Sequence, residues 1–112
     1  MADAQATGHD LAGRVVTTVA SWPGVRAEPG ERGATALVYE GEELGHIHHG
    51  RVHADLPLPE PERSRALDAG TVRRWFSGWV SKPIATPDEA DEAVELFRTI
   101  YDRRRAAPAA AG

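Results

Sequence analysis

Cysteine is absent from the 112 residues. That excludes disulfides, thiolate-ligated zinc, iron–sulfur clusters and a cysteine nucleophile. Lysine is almost absent: Lys82 stands alone among the 13 basic residues, the rest being arginine. With abundant Ala, Gly and Pro, this suggests a bacterial, GC-rich coding sequence. No apolar run approaches the ~18 residues of a membrane span, and Met1–Gly8 has neither the basic start nor the apolar stretch of a secretion signal, so a cytoplasmic location is expected. Basic charge is not in excess either. The formal net charge is −4 and the isoelectric point about 5.7, which argues against a dedicated DNA- or RNA-binding role. There is no phosphate-cradling glycine loop ahead of a helix and no Gly-x-Ser-x-Gly elbow. The carboxylates at Glu60 and Glu62 read as solvated surface.

What remains is an ordinary globular composition, 41% hydrophobic and 27% charged in 12.1 kDa, enough for one domain. Residues 1–7 and 105–112 are small, polar or Ala-rich and are expected to be disordered, which leaves 8–104 as the domain. A helix is predicted from about Asp10 to Ser21, with Leu11, Val15, Val16, Val19 and Trp22 on one face, stopped by Pro23-Gly24. Val25–Glu28 suits an edge strand. Strands are expected at Ala34–Tyr39, Glu43–His48 and Arg51–Leu56, with tight turns at Glu40-Gly41 and His49-Gly50. A helix over Pro59–Ala69 with Gly70 as its stop, a strand over Gly78–Lys82 and a capped final helix follow. Thr86-Pro87-Asp88-Glu89 is a capping box with proline at the first helical position. Strands in a block with helices at the ends imply an α+β fold: a single antiparallel sheet of four to five strands packed on the N- and C-terminal helices.

Four histidines crowd into His46-Ile47-His48-His49-Gly50-Arg51-Val52-His53, followed by Asp55. Side chains alternate along a strand, so His46 and His48 share a face. A two-residue turn at His49-Gly50 pairs His46 with His53 and brings His53 and Asp55 to that face. The same logic across Glu40-Gly41 adds Leu37, Tyr39 and Leu44. It leaves Ala34, Ala36, Val38, Ile47, Val52, Ala54 and Leu56 as the core face. Polar heads between apolar walls are what a small-molecule site needs. His46, His48 and His53 are nitrogen donors suited to a divalent transition metal. Alternatively His46 or His48 serves as general acid or base, oriented by Asp55. His9 is read as irrelevant, and His49 as an exposed turn residue.

Trp75-Phe76-Ser77-Gly78-Trp79 holds two of the three tryptophans. Core packing is the favoured reading. The alternatives are a base-stacking platform beside Arg73, Arg74 and Lys82, or a wall of the histidine pocket formed by Trp75 or Trp79.

Several pieces taken together resemble the bacterial and fungal "luciferase domain" family: Trp22-Pro23-Gly24-Val25, Gly41-Glu42-Glu43-Leu44-Gly45-His46-Ile47-His48, Asp55-Leu56-Pro57, Ser77-Gly78-Trp79-Val80, and Pro87-Asp88-Glu89 opening a helix that reaches Tyr101. The resemblance spans most of residues 11–104 and points to His46, His48, Asp55 and Trp79 as functional positions. A weaker resemblance to small YjbR-like proteins rests on element order and implies the same α+β layout. The expected function is small-molecule binding on an open sheet face, with metal-assisted or acid–base chemistry at His46, His48 and Asp55, and with Leu37, Tyr39, Leu44, His53 and Trp79 lining the site. The alternative is a non-enzymatic interaction or nucleic-acid-binding module.

Overall fold

The computed structural model describes residues 8–107. The disorder expected of residues 1–7 and of the last five residues lies outside the described part. Helix α1 (Gly8–Ala20) leads into strands β1 (Val25–Pro29), β2 (Thr35–Tyr39), β3 (Glu42–His48) and β4 (His53–Leu56), with a 3-10 turn at Glu31–Gly33. Helix α2 (Glu62–Asp68), strands β5 (Arg73–Arg74) and β6 (Val80–Pro83) and helix α3 (Pro87–Ala106) complete the chain. The six strands form one antiparallel sheet in the order β1-β2-β3-β4-β6-β5. The extra strand is the short β5, which lacks the alternating apolar pattern that would reveal it in the sequence.

Helices α1 and α3 cover one face of the sheet. Leu11, Val15 and Val19 of α1 and Ala93, Phe97 and Ile100 of α3 are buried against Leu37, Leu44, Ile47, Ala54, Leu56 and Val80. Burying side chains of this size is worth roughly 1.5–3 kcal/mol each, so this seam dominates the stability of the domain. Helix α3 begins as the capping box requires: the Glu89 backbone N–H donates to Thr86 Oγ1 at 3.1 Å. The Glu89 carboxylate in turn accepts from the Ala85 N–H at 2.7 Å. The helix continues to Ala106, two residues past the expected domain edge at 104. Tyr101 anchors its far end, donating its hydroxyl to the Pro23 carbonyl at 2.8 Å.

Two expectations fail at buried or exposed positions. Lys82 is 2% exposed. It points to the helix side and donates to the Thr71 carbonyl and the Glu92 carboxylate, so it is not part of a basic surface. Trp75 and Phe76 are 58% and 56% exposed and do not pack in the core. The helices already fill that side of the sheet, and the β5–β6 connection projects from the other.

Candidate functional site

The face of the sheet away from α1 and α3 is open, and the histidines lie on it. Their convergence follows from strand register. β3 and β4 pair as His46↔Asp55, Ile47↔Ala54 and His48↔His53. The connection spans four residues rather than the predicted two, which moves every pair by two positions. A two-residue shift preserves which face each side chain occupies, so His46, His48, His53 and Asp55 still share one face.

The β2–β3 hairpin behaves differently. Its turn is the expected Glu40-Gly41, with φ of 50° and 84°, the doubly left-handed conformation that suits the twist of a hairpin. The pairs Tyr39↔Glu42 and Val38↔Glu43 follow, but the register then slips and Leu37 faces Gly45. A bulge at Leu44-Gly45 inserts one residue and inverts the parity of everything beyond it. Leu37, Tyr39 and Leu44, expected to line the site, therefore lie on the helix side. Leu37 and Leu44 are fully buried in the core, and Tyr39 packs edge-on against Tyr101 at 5.2 Å. Ala34, Ala36 and Val38, assigned to the core face, instead floor the open face.

The bulge requires glycine. At Gly45 φ is 153°, and a Cβ there would stand 2.7 Å from the Asp55 carbonyl oxygen and 2.8 Å from Phe97. Its consequence is chemical. Glu43 and His46, three apart and on opposite faces of a regular strand, meet on the same face. His46 Nδ1 donates to Glu43 Oε2 at 2.5 Å. Sequence reasoning missed Glu43; the glycine inside an otherwise strand-like run was the available signal.

Asp55 is the hub. Its side chain is 5% exposed, and its Oδ2 accepts from His46 Nε2 at 3.2 Å and from His48 Nε2 at 3.1 Å. His53 Nε2 lies 3.6 Å from the other oxygen, Oδ1, while its Nδ1 donates to the Arg51 carbonyl at 2.7 Å. The His48 and His53 rings stack at 4.6 Å, and His46 meets His48 edge-on at 4.9 Å. His49 turns the other way to Thr35 Oγ1 at 2.8 Å and is half-buried rather than exposed. His9 lies in α1, away from the cluster.

These contacts separate the two central imidazoles electrostatically. The hydrogen bond to Asp55, reinforced by Glu43, outweighs desolvation and raises the pKa of His46 to about 9. Burial, aided by the neighbouring His53, pushes His48 below the ordinary histidine value. For Asp55 burial acts upward, but the His46 hydrogen bond and the charges of the surrounding histidines outweigh it and hold the carboxyl below its usual range. At neutral pH His46 is therefore a charged donor, His48 a neutral ring and Asp55 an anion.

A groove of about 690 Å³ lies over this centre. The Glu28–Arg32 segment forms one wall, and Trp75, Phe76 and Trp79 form the other. The Trp79 ring sits 5.6 Å from His46 and parallel to Phe76 at 6.1 Å. The aromatic loop is fastened from behind. Arg63 of α2 donates to the carbonyls of Leu58 and Gly78, each at 3.2 Å. Sequence reasoning did not single out Arg63, because an arginine in a short polar helix carries no distinguishing pattern. Among the described residues, His46, His48 and Asp55 form a group whose donor atoms all lie within 4.8 Å of one another and could hold a metal ion. His53, predicted as a third nitrogen ligand, stands just outside that group.

No helix among the described residues is long and apolar enough to cross a membrane. No curated protein and no solved structure matches the chain. Residues 41–99 match the family model described as Luciferase domain. That segment is more than half of the chain and contains Glu43, His46, His48, His53, Asp55, Arg63 and the aromatic wall, and the chain belongs to this family.

Proposed function

We propose that the groove binds a small molecule whose apolar or aromatic body lies along Phe76 and Trp79 and whose polar end meets His46, His48 and Asp55. The observation that carries this reading is the convergence of two imidazoles with opposite pKa shifts on one buried carboxylate, beneath an aromatic wall. Environments that drive neighbouring titratable groups apart mark acid and base partners. His46, protonated at neutral pH, is the acid. His48 donates Nε2–H to Asp55 and keeps Nδ1 free to accept a proton, which makes it the base. Asp55 orients both rings and stabilises the positive charge on His46. Tyr39, Leu37 and Leu44 take no part.

Fragment screening by NMR on the untagged protein tests binding. Small aromatic acids, amines and enols should produce shifts clustered on Trp79, His46 and His48; shifts scattered over the surface, or none, count against the groove. A histidine NMR titration tests the chemistry. His46 should stay protonated through pH 8 while His48 is neutral at pH 7, and coincident titrations would refute the acid–base assignment.

A second reading has one observation in its favour. The exposed Trp75 and Phe76 adjoin the exposed Arg73 and Arg74, the combination that stacks and neutralises single-stranded nucleic acid. Retardation of an oligonucleotide that survives about 150 mM salt would support it. The burial of Lys82 and the carboxylates of Glu28, Glu31 and Glu43 along the groove weigh against it.

A further inference from the structure

We infer that His46, His48 and Asp55 form a binding site for a divalent first-row transition metal, with Glu43 and His53 as its supporting groups. The inference deepens the reading above and rests on the same cluster being the functional centre. The ion takes the place of the hydrogens that His46 Nε2 and His48 Nε2 direct at Asp55 Oδ2. His46 releases its proton to solvent and His48 carries its hydrogen on Nδ1. The acid and base roles above therefore belong to the metal-free protein, and in the metal-bound protein the polar end of the groove's ligand meets the ion.

Spacing is the first argument. Donor atoms bound about 2.0–2.2 Å from one ion lie roughly 3.0–3.5 Å from each other in tetrahedral or octahedral geometry. His46 Nε2 and His48 Nε2 stand 3.2 and 3.1 Å from Asp55 Oδ2, the edge length of such a polyhedron. The donors come from directly paired positions of two adjacent strands, His46 opposite Asp55 and His48 opposite His53, so the sheet's own hydrogen bonds hold the set together.

The second argument is an unsatisfied oxygen. Two imidazoles crowd onto Oδ2 of Asp55, while Oδ1 is buried with no hydrogen-bond partner. A carboxylate serving only as a hydrogen-bond acceptor would be expected to divide the two donors between its oxygens, because a buried acceptor left unpaired costs about 1–3 kcal/mol. The residue is 3% exposed and lines the groove. A cation bound to the group neutralises the charge shared by both oxygens, and His53 Nε2, 3.6 Å from Oδ1, is placed to close on the second.

Outer contacts supply the third argument. Metal-binding histidines commonly give their other ring nitrogen to a carboxylate or a backbone carbonyl, which fixes the ring and directs the remaining lone pair at the ion. His46 gives Nδ1 to Glu43, and His53 gives Nδ1 to the Arg51 carbonyl. Two nitrogens and one carboxylate select zinc, cobalt, iron or nickel over calcium or magnesium. Three protein donors leave coordination positions facing the groove, as sites that act on a bound molecule require.

The test uses the full chain, untagged and stripped of metal. Titration with cobalt(II) should give visible d–d absorption that saturates at one equivalent, and zinc should displace it. His48→Ala should weaken zinc binding by more than about 100-fold, and Glu43→Gln by about 10- to 100-fold, both with the fold retained by circular dichroism. Asp55→Asn should abolish the cobalt spectrum; should that variant fail to fold, His48→Ala decides, since its ring is partly exposed. Absent d–d bands, or zinc affinity unchanged in His48→Ala, overturn the inference. Aromatic fragments that still shift Trp79 in a protein without zinc affinity would sink the metal and leave the groove standing. Zinc binding with no fragment response would do the reverse.

Discussion

Replacing Gly45 by alanine tests the bulge on which the geometry of the site depends. The added Cβ would lie 2.7 Å from the Asp55 carbonyl oxygen and 2.8 Å from Phe97 Cε1, both well inside contact distance. Neither neighbour is free to yield. The carbonyl belongs to the backbone of β4, and Phe97 is fully buried between α3 and the sheet. Overpacking costs about 1–3 kcal/mol, and a side chain at a φ of 153° adds backbone strain of about 1–3 kcal/mol. The sum, about 2–6 kcal/mol, is a large share of the ~5–15 kcal/mol that holds a typical domain folded. It corresponds to a fall in Tm of at least about 8 °C. Gly13→Ala is the control. That glycine is exposed in the middle of α1, and a Cβ added there meets nothing within 4 Å, so the substitution should raise stability by about 0.5–1 kcal/mol. Urea unfolding of both variants beside the parent gives the comparison. A loss below about 1 kcal/mol in Gly45→Ala would refute the steric argument and with it the claim that the bulge is fixed by glycine.

Stability should also report the charges of the centre. The pKa of His46 is about 9 in the fold against 6.5 unfolded, so its contribution is complete below pH 6.5 and is lost as pH rises through 9. The shift is worth about 3 kcal/mol at most and about 2 kcal/mol after solvent screening of the partly exposed ring. The lowered pKa of His48 acts oppositely, removing stability as pH falls below 6.5, and Asp55 removes more once pH falls below about 4. Tm should therefore peak near pH 6.5–7 and drop towards pH 9.5, and His46→Gln should flatten that upper limb; an unchanged limb contradicts the assignment. Thr86→Ala removes the cap on α3 and should cost about 1 kcal/mol in urea unfolding, with no loss meaning that Pro87 and Glu89 suffice. Arg63→Ala frees the aromatic loop from two carbonyls. It should cost about 1–2 kcal/mol and shift tryptophan emission to the red, whereas unchanged emission would show that the loop holds itself.

The fold is legible wherever one element carries its own signal. The capping box and apolar stripe of α3 identify it without reference to anything else, and the Pro23-Gly24 stop places the end of α1 within a residue of its observed limit. Short elements held by tertiary contact are not legible. β5 consists of two exposed arginines and exists because β6 offers it a ladder. The exposure of Trp75 and Phe76 depends on which face the helices occupy, a fact no local window contains. A tryptophan in a domain poor in aromatics reads as core until the core is known to be full.

The site is legible in part, and the reason lies in parity. Between β3 and β4 the connection is two residues longer than the sequence suggests, and the four polar side chains still land together, because an even slip leaves every residue on its face. Between β2 and β3 the turn is the expected one, yet a single inserted residue exchanges Leu37 for Ala36 and Tyr39 for Val38 on the open face. The inversion removes the large side chains from the groove floor and replaces them with small ones, which opens the groove above the imidazoles. It also carries Glu43 to His46. Gly45 thus links the two features on which the proposed function rests, space and an oriented ring. A strand that alternated regularly through this position would put Leu37 and Tyr39 on the floor of the groove and leave His46 without its Glu43 partner.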